Sequence, residues 1–201
     1  MHIRLMTPVG TSVLVVDQDP GRAESTKHLL IEQGYGVTDV VTDPAVLRNA
    51  IAQTTAETIL IYAATLDQAM MDMLRHIPDS QRRPTVLITE DGSSDAVYSA
   101  VAAGVNAFVV VGVSGNRMRS AIDLAKANFT NTRGLREELD EARTALRDRK
   151  QIERAKGIIM KERGLDEAAA YTLLRTRAMQ RGVRLSVIAE MVNEAAEVMQ
   201  L

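Results

Sequence analysis

Ten lysines and arginines fall between Arg149 and Arg184, at spacings that suit helices built to grip a polyanion. Arg149, Lys150, Arg154 and Lys156 recur within about two helical turns, and Arg177 and Arg181 repeat at i, i+4 with Arg175 and Arg184 nearby. Side chains placed in this way reach phosphates, and a guanidinium also stacks on an unpaired base. Gly157 stands among them with no side chain, so a backbone or base could approach the helix closely there. Ala155 is small enough to serve the same approach or packing. Tyr171, the only aromatic of the segment, reads first as a core residue, from its place in an apolar stripe, and second as a stacking platform. On charge alone, a salt-bridged solvated helix remains an equal alternative.

Other chemistry is thinly represented. His2, His28 and His76 are scattered without ligand spacing, cysteine is absent, and no glycine-rich phosphate loop occurs. An enzyme is therefore the least favoured class, no cofactor or metal is expected, and disulfides are excluded. The net charge of −2 conceals an asymmetry: residues 1–132 carry −4, residues 133–184 carry +5 and residues 185–201 carry −3. The basic half is the candidate for a nucleic-acid partner. The N-terminal MHIRLMTPVG lacks the apolar run of a signal peptide and no window is apolar enough to span a membrane, so a cytoplasmic protein without a membrane partner is expected.

The elements that must position these residues fall into two regions. Apolar runs at Val13–Val16, Val37–Val41, Thr58–Tyr62, Pro84–Thr89 and Ala107–Val111 alternate with helical patterns at Pro20–Gln33, Pro44–Gln53, Asp67–His76 and Asp95–Ala103, and a further helix begins near Gly115. Five β–α units of this length predict a doubly wound α/β domain over residues 10–127, with a parallel five-stranded sheet and any site at the C-terminal strand ends. From Met118 a 3-4-3-4 apolar spacing follows through Ala121, Ala125, Asn128 and Thr132 to Leu135, Leu139, Ala142 and Leu146. This predicts a connecting coiled-coil helix over 115–150, with Leu135, Leu139, Ala142 and Leu146 as the convincing part of a homodimer seam and Gly134 as a place where the helix could break. Three further helical patterns, separated at Gly164 and Gly182 and capped by Asp166 and Ser186, predict an all-α three-helix bundle over 136–200.

The order, spacing and strand-end residues of the first region resemble the receiver domain of response regulators. That resemblance implies a phosphoacceptor site, with a nucleophilic carboxylate, an acidic pair for Mg²⁺, a hydroxyl and a lysine. In this sequence the acidic pair falls on Asp17 and Gln18, the nucleophile position on Tyr62, the hydroxyl on Thr89 and the lysine position on Val111. Tyr62 cannot form an acyl phosphate, and Gln18 and Val111 lack the required charge. Asp19 is adjacent to the lost carboxylate but points elsewhere, and Asp67 lies five residues beyond Tyr62, out of strand register. The expectation is a degenerate, phosphorylation-independent receiver in which Asp17 and Thr89 serve as turn and cap residues.

The second region, RKQIERAKGIIMKERG followed by AYTLLRTRAM, resembles the ANTAR domain of AmiR- and NasT-type transcription antiterminators. The resemblance implies a homodimer that binds leader mRNA hairpins and prevents a terminator from folding, with no bond made or broken. It also implies control by a ligand-sensing partner similar to a periplasmic binding protein. The short receiver-plus-ANTAR layout looks closer to the NasT type, with a NasS-like nitrate or nitrite sensor and control of nitrate assimilation. An amide-responsive AmiR-like antiterminator, a phosphorelay regulator with an unorthodox acceptor and a DNA-binding regulator are the alternatives.

Overall fold

The computed structural model describes residues 11–111 and 115–199. The first ten residues, including His2 and residue 10, where the α/β domain is expected to begin, lie outside the described residues. In chain order the elements are β1 (Ser12–Asp17), α1 (Pro20–Glu32), β2 (Gly36–Val41), α2 (Leu47–Gln53), β3 (Thr58–Ala63), α3 (Gln68–Arg75), β4 (Thr85–Thr89), α4 (Ser94–Ala102), β5 (Ala107–Val110), α5 (Gly115–Arg163), α6 (Glu167–Arg181) and α7 (Leu185–Met199). They form two compact units that divide at Arg133 and Gly134.

The first unit is a parallel sheet in the order β2-β1-β3-β4-β5. Its strands are apolar on both sides because helices cover both faces. Strand alternation sends Val13, Val15, Leu60, Tyr62, Val86 and Ile88 toward Leu30 of α1 and Met118, Ala121, Ile122 and Ala125 of α5. Leu14, Val16, Ile59, Ile61 and Leu87 pack on the other face with Leu47 and Ile51 of α2, Met71 and Leu74 of α3 and Ala100 of α4. Each fully buried aliphatic side chain contributes about 1.5–3 kcal/mol. Crossing from β1 to β3 leaves the strand ends Asp17 and Tyr62 side by side in register, with Ala63 opposite Thr89.

This packing corrects the expected seam. Met118, Ala121 and Ala125 belong to the sheet's own core, and Asn128 donates through Nδ2 to the Asn106 carbonyl at 2.9 Å. They are therefore not free to face a second chain, and the coiled-coil character expected from residue 115 onward does not extend to them. Further along α5, Leu135, Leu139, Ala142 and Leu146 are exposed. The helix runs through Gly134 without a break.

The second unit packs Ala155 and Ile159 of α5 against Ala170, Leu174 and Ala178 of α6 and Ile188 and Ala189 of α7. Its turns are set locally. Gly164 and Gly182 adopt the left-handed conformation (φ 63° and 64°), which glycine enters without a Cβ penalty, and the Asp166 carboxylate accepts the Ala169 N–H at 2.7 Å as the α6 N-cap. Ser186 does not cap the last helix, because α7 already begins at Leu185.

Gly134 supplies a direct check of the unbroken helix. A Cβ there meets no atom within 4 Å, so Gly134→Ala should stabilise the protein by about 0.5–1 kcal/mol, read as a higher urea midpoint by circular dichroism. A lower midpoint would mean that the helix is interrupted at this residue.

Candidate functional site

The strand-end site is built from the first turn of α1 inward. Asp19 caps that helix, accepting the Gly21 and Arg22 N–H groups at 2.9 and 3.1 Å, and the Arg22 N–H foremost holds its carboxyl below the usual range. Capping fixes Arg22 one turn past β1, facing back over the strand ends. Its guanidinium meets Asp17 twice, Nε to Oδ2 and Nη2 to Oδ1, both at 2.7 Å. Asp17 is only 1% exposed, and its Oδ1 also accepts the Asp19 N–H at 2.9 Å. The same guanidinium lies 3.6 Å from the centroid of the Tyr62 ring, and the Tyr62 hydroxyl donates to Glu90 at 3.0 Å. Burial above all, then the Glu90 bond, pushes the Tyr62 hydroxyl upward from its ordinary value, so it stays protonated. Thr89 is buried; its hydroxyl donates to the Ala64 carbonyl at 3.2 Å and accepts the Asp91 N–H at 3.2 Å. Asp67 caps α3 by accepting the Met70 N–H.

A receiver's Mg²⁺ does not fit these residues. Both oxygens of Asp17 are already bound to a fixed cation, a neutral amide (Gln18) stands beside it, and the position that would carry the phosphoryl group is a phenol. Val111 is half-exposed and contributes only a backbone N–H to the Thr89 carbonyl. Arg22 and Glu90 were not singled out in the sequence. Both carry a legible signal in retrospect: a cation five residues after Asp17 in the first helical turn, and a carboxylate immediately after Thr89.

In the second unit the basic residues separate into three groups. Arg149, Lys150, Arg175, Arg177 and Arg181 are exposed, Arg177 touching Gln180 and Arg181 touching the Met191 sulfur. Arg154 is exposed and pairs with Glu197 of α7 at 2.9 Å. Lys156, by contrast, is only 7% exposed, with Nζ 2.8 Å from Glu153 and 2.7 Å from Glu167. It is a tie between α5 and the start of α6, which corrects its reading as a phosphate contact. Its ammonium is raised above its ordinary value, by the Glu153 bond first and then by Glu167, while Lys156 holds the Glu167 carboxyl down. Ala155 is wholly buried in the core with Leu174 and Ala170, which is the packing role expected of its small size. The core stripe of α6 runs Ala170, Leu174, Ala178, which leaves Tyr171 at its edge, 42% exposed, and overturns its reading as a core tyrosine. Gly157 is exposed on α5 with no atom within 4 Å of a built Cβ. Arg143 and Arg147 line a groove with Lys150 and Arg154 on one side and α7 on the other. Among the described residues no helix is long and apolar enough to cross a membrane, and no group of three or more His, Asp or Glu side chains is placed to hold a metal ion.

A receiver-like parallel five-stranded sheet, whose strand ends carry Gln18, Tyr62 and Val111 at the positions of a receiver's second acid, nucleophile and lysine, is followed by a basic helical unit. Residues 140–192, within that helical unit, match the family model of the ANTAR domain. The transcriptional regulatory protein PdtaR of Mycobacterium tuberculosis, in strains CDC 1551 and H37Rv, is 31% identical over 124 residues, spanning 62% of this chain and 60% of PdtaR's length. The fold also resembles a pilus assembly-related protein of Burkholderia pseudomallei (TM-score 0.54, 23% identity, 62% of this chain and 95% of that one). A Francisella response regulator 1452 receiver domain is similar at TM-score 0.51 and 18% identity, covering 60% of this chain and 99% of that one.

Two substitutions test the geometry. Arg22→Ala leaves the buried Asp17 carboxylate without its cation and should cost about 2 kcal/mol, reduced from a fully buried pair because the Arg22 side chain is 35% exposed. Asp17→Asn in the same chain should recover most of that loss in urea titrations. Lys156→Ala should lower the melting temperature of the second unit. Because the Glu167 pKa is depressed below 4.5 in the fold, the contribution of its pair with Lys156 is present above that value and lost as pH falls through the folded value. The gap between wild type and Lys156→Ala should therefore narrow in acid; a gap that is constant with pH would refute the tie.

Proposed function

We propose that the chain is an RNA-binding transcription antiterminator whose helical unit stabilises leader-mRNA hairpins against formation of a terminator. The match of residues 140–192 to the ANTAR model carries this reading. The surface supports it. Arg149, Lys150, Arg175, Arg177 and Arg181 present flexible cations to solvent, with Tyr171 beside Arg175 one helical turn away as a surface on which a base can stack. Gly157 adds a second kind of support: glycine in a helix interior costs about 1 kcal/mol, and nothing in the fold requires it at this exposed position, so a closely approaching ligand is a reason for it. RNA suits such a module because its single-stranded loops offer exposed base faces flanked by phosphates. The work done is binding energy competing with RNA secondary structure, so no catalytic group is needed.

The exposed Leu135, Leu139, Ala142 and Leu146 support a homodimer, in which two copies of the basic surface would meet paired hairpins and gain from effective concentration. The Arg22–Asp17–Tyr62 cluster supports control by a binding partner in place of phosphorylation, with the receiver-like unit as the part that is held. The short layout, similar to the NasT type, supports a NasS-like nitrate or nitrite sensor as that partner and nitrate assimilation, in the cytoplasm, as the context.

Fluorescence anisotropy with hairpins from the chain's own operon leader tests this reading. Binding should weaken roughly twentyfold between 0.1 and 0.3 M KCl if about four phosphates are contacted. Arg175→Ala and Tyr171→Ala should each weaken it about tenfold without moving the melting temperature. Gly157→Ala should raise helix stability yet lower affinity. Wild-type protein that ignores the hairpins at low salt sinks the proposal.

A further inference from the structure

One wall of the groove in the second unit is cationic and the other anionic. Along α5, Arg143, Arg147, Lys150 and Arg154 recur at spacings of four, three and four residues, so they form one continuous stripe. Along α7, Glu190, Glu194 and Glu197 repeat with the same rhythm and face them, with Leu146 and Asn193 between. The groove has a volume of about 530 Å³ and is not closed by side chains. Arg154 and Glu197 meet across it at 2.9 Å, and Asn193 Nδ2 donates to the Gln151 carbonyl at 3.1 Å, which fixes the two helices against each other. Arg147, Lys150, Glu190 and Glu194 form no ion pair within 4 Å among the described residues. The α5 stripe is thus an electropositive rail with a row of carboxylates held beside it, joined across the groove by the Arg154–Glu197 pair, with Arg147 and Lys150 facing Glu190 and Glu194 without contact.

An acidic wall of this kind costs affinity for any polyanion, and the core does not need it, since α7 packs through Ile188, Ala189 and Val192. We infer that Glu190, Glu194 and Glu197 are specificity-determining residues: they keep generic RNA from settling along the α5 rail, so that stable binding requires a folded RNA that also engages the rest of the module. This rests on the RNA-binding reading given above. The physical basis is the difference between two modes of binding. Unspecific binding draws almost wholly on phosphate neutralisation and follows the deepest positive potential, so a nearby carboxylate weakens it directly. Specific binding is fixed by base contacts and shape, and it places its phosphates where those contacts dictate. Repulsive elements aimed at competitors are a common way to widen such a gap.

The test is Glu190→Gln/Glu194→Gln/Glu197→Gln in the full chain, set against a control, Glu138→Gln/Glu141→Gln/Glu162→Gln, which removes the same charge from residues of α5 that do not line the groove. Glu190→Gln/Glu194→Gln, which breaks no ion pair, serves as a second variant if the triple melts early. Affinities are read by anisotropy on the leader hairpin and on a scrambled unstructured RNA of equal length. The groove variants should tighten scrambled RNA about tenfold and the hairpin about twofold, while the control shifts both by about twofold. Adding Arg147→Ala and Lys150→Ala should abolish the gain on scrambled RNA. Equal effects of groove and control variants, or equal tightening of both RNAs by the groove variants, overturn the inference. Wild-type protein that binds neither RNA overturns the RNA-binding reading itself, a separate result.

Discussion

The helix α5 must satisfy two cores with one sequence. Its first turns give Met118, Ala121, Ile122 and Ala125 to the face of the parallel sheet, and its last turns give Ala155 and Ile159 to the three-helix core. At both ends alanines, where the helix lies close on its neighbour, alternate with larger Met or Ile side chains that fill the remaining space. Between these ends the helix has no core to join, yet it keeps leucines at heptad spacing and rows of charge beside them. In this 49-residue helix Gly134 is half-buried, and Leu135, Leu139 and Leu146 beyond it are exposed. Its exposed apolar residues from Leu135 to Leu146 are what the proposed homodimer rests on.

At the strand ends, the loss of phosphoacceptor chemistry is a rebuilding rather than a deletion. A buried carboxylate cannot be left without a counter-charge, since the desolvation cost of an isolated ion exceeds what a small domain can absorb. In an active receiver, metal and phosphate supply and remove that charge. Here Arg22 supplies it permanently, and the phenol that replaces the nucleophile provides the ring on which the guanidinium rests. Three replacements thus support one another: the aromatic at position 62 needs a cation, the cation needs Asp17, and the Tyr62 hydroxyl needs Glu90. The proposal of control by a binding partner rests on this cluster, whose carboxylate already has its counter-charge in Arg22.

The strands, their order and the helical output were legible because apolar runs, turn glycines and Asp caps are local signals, and the ANTAR motif is dense. Side-chain destinations were less legible. Lys156 reads as a free cation in a basic run, but its partner Glu167 lies across a turn, and no periodicity reports a contact between helices. Tyr171 reads as a core residue from its place in the α6 stripe, but Ala170 takes that place beside Leu174 and Ala178; alanine-rich segments give a weak apolar signal, so an aromatic nearby captures the assignment. The seam was extended too far toward Met118 because core-facing and partner-facing apolar positions share the same spacing. Arg22 was overlooked because a receiver resemblance directs attention to the positions that the family uses, and the compensating residue lies elsewhere.

Removing Ala155 and Lys156 from the surface leaves a simpler interface. The tight AKG segment then reads as three distinct jobs on consecutive residues: an alanine that lets α6 approach, a lysine that ties α6 down through Glu167, and a glycine that has no structural duty in the fold. The first two set the position of the third. A residue that costs helix stability, and is held in place by neighbours that restore it, marks the point where the helix backbone itself is offered to something outside. On the RNA-binding proposal, cations on α5 and α6 need only reach phosphates on either side of that point, and the carboxylates of α7 would set how much RNA they hold without it.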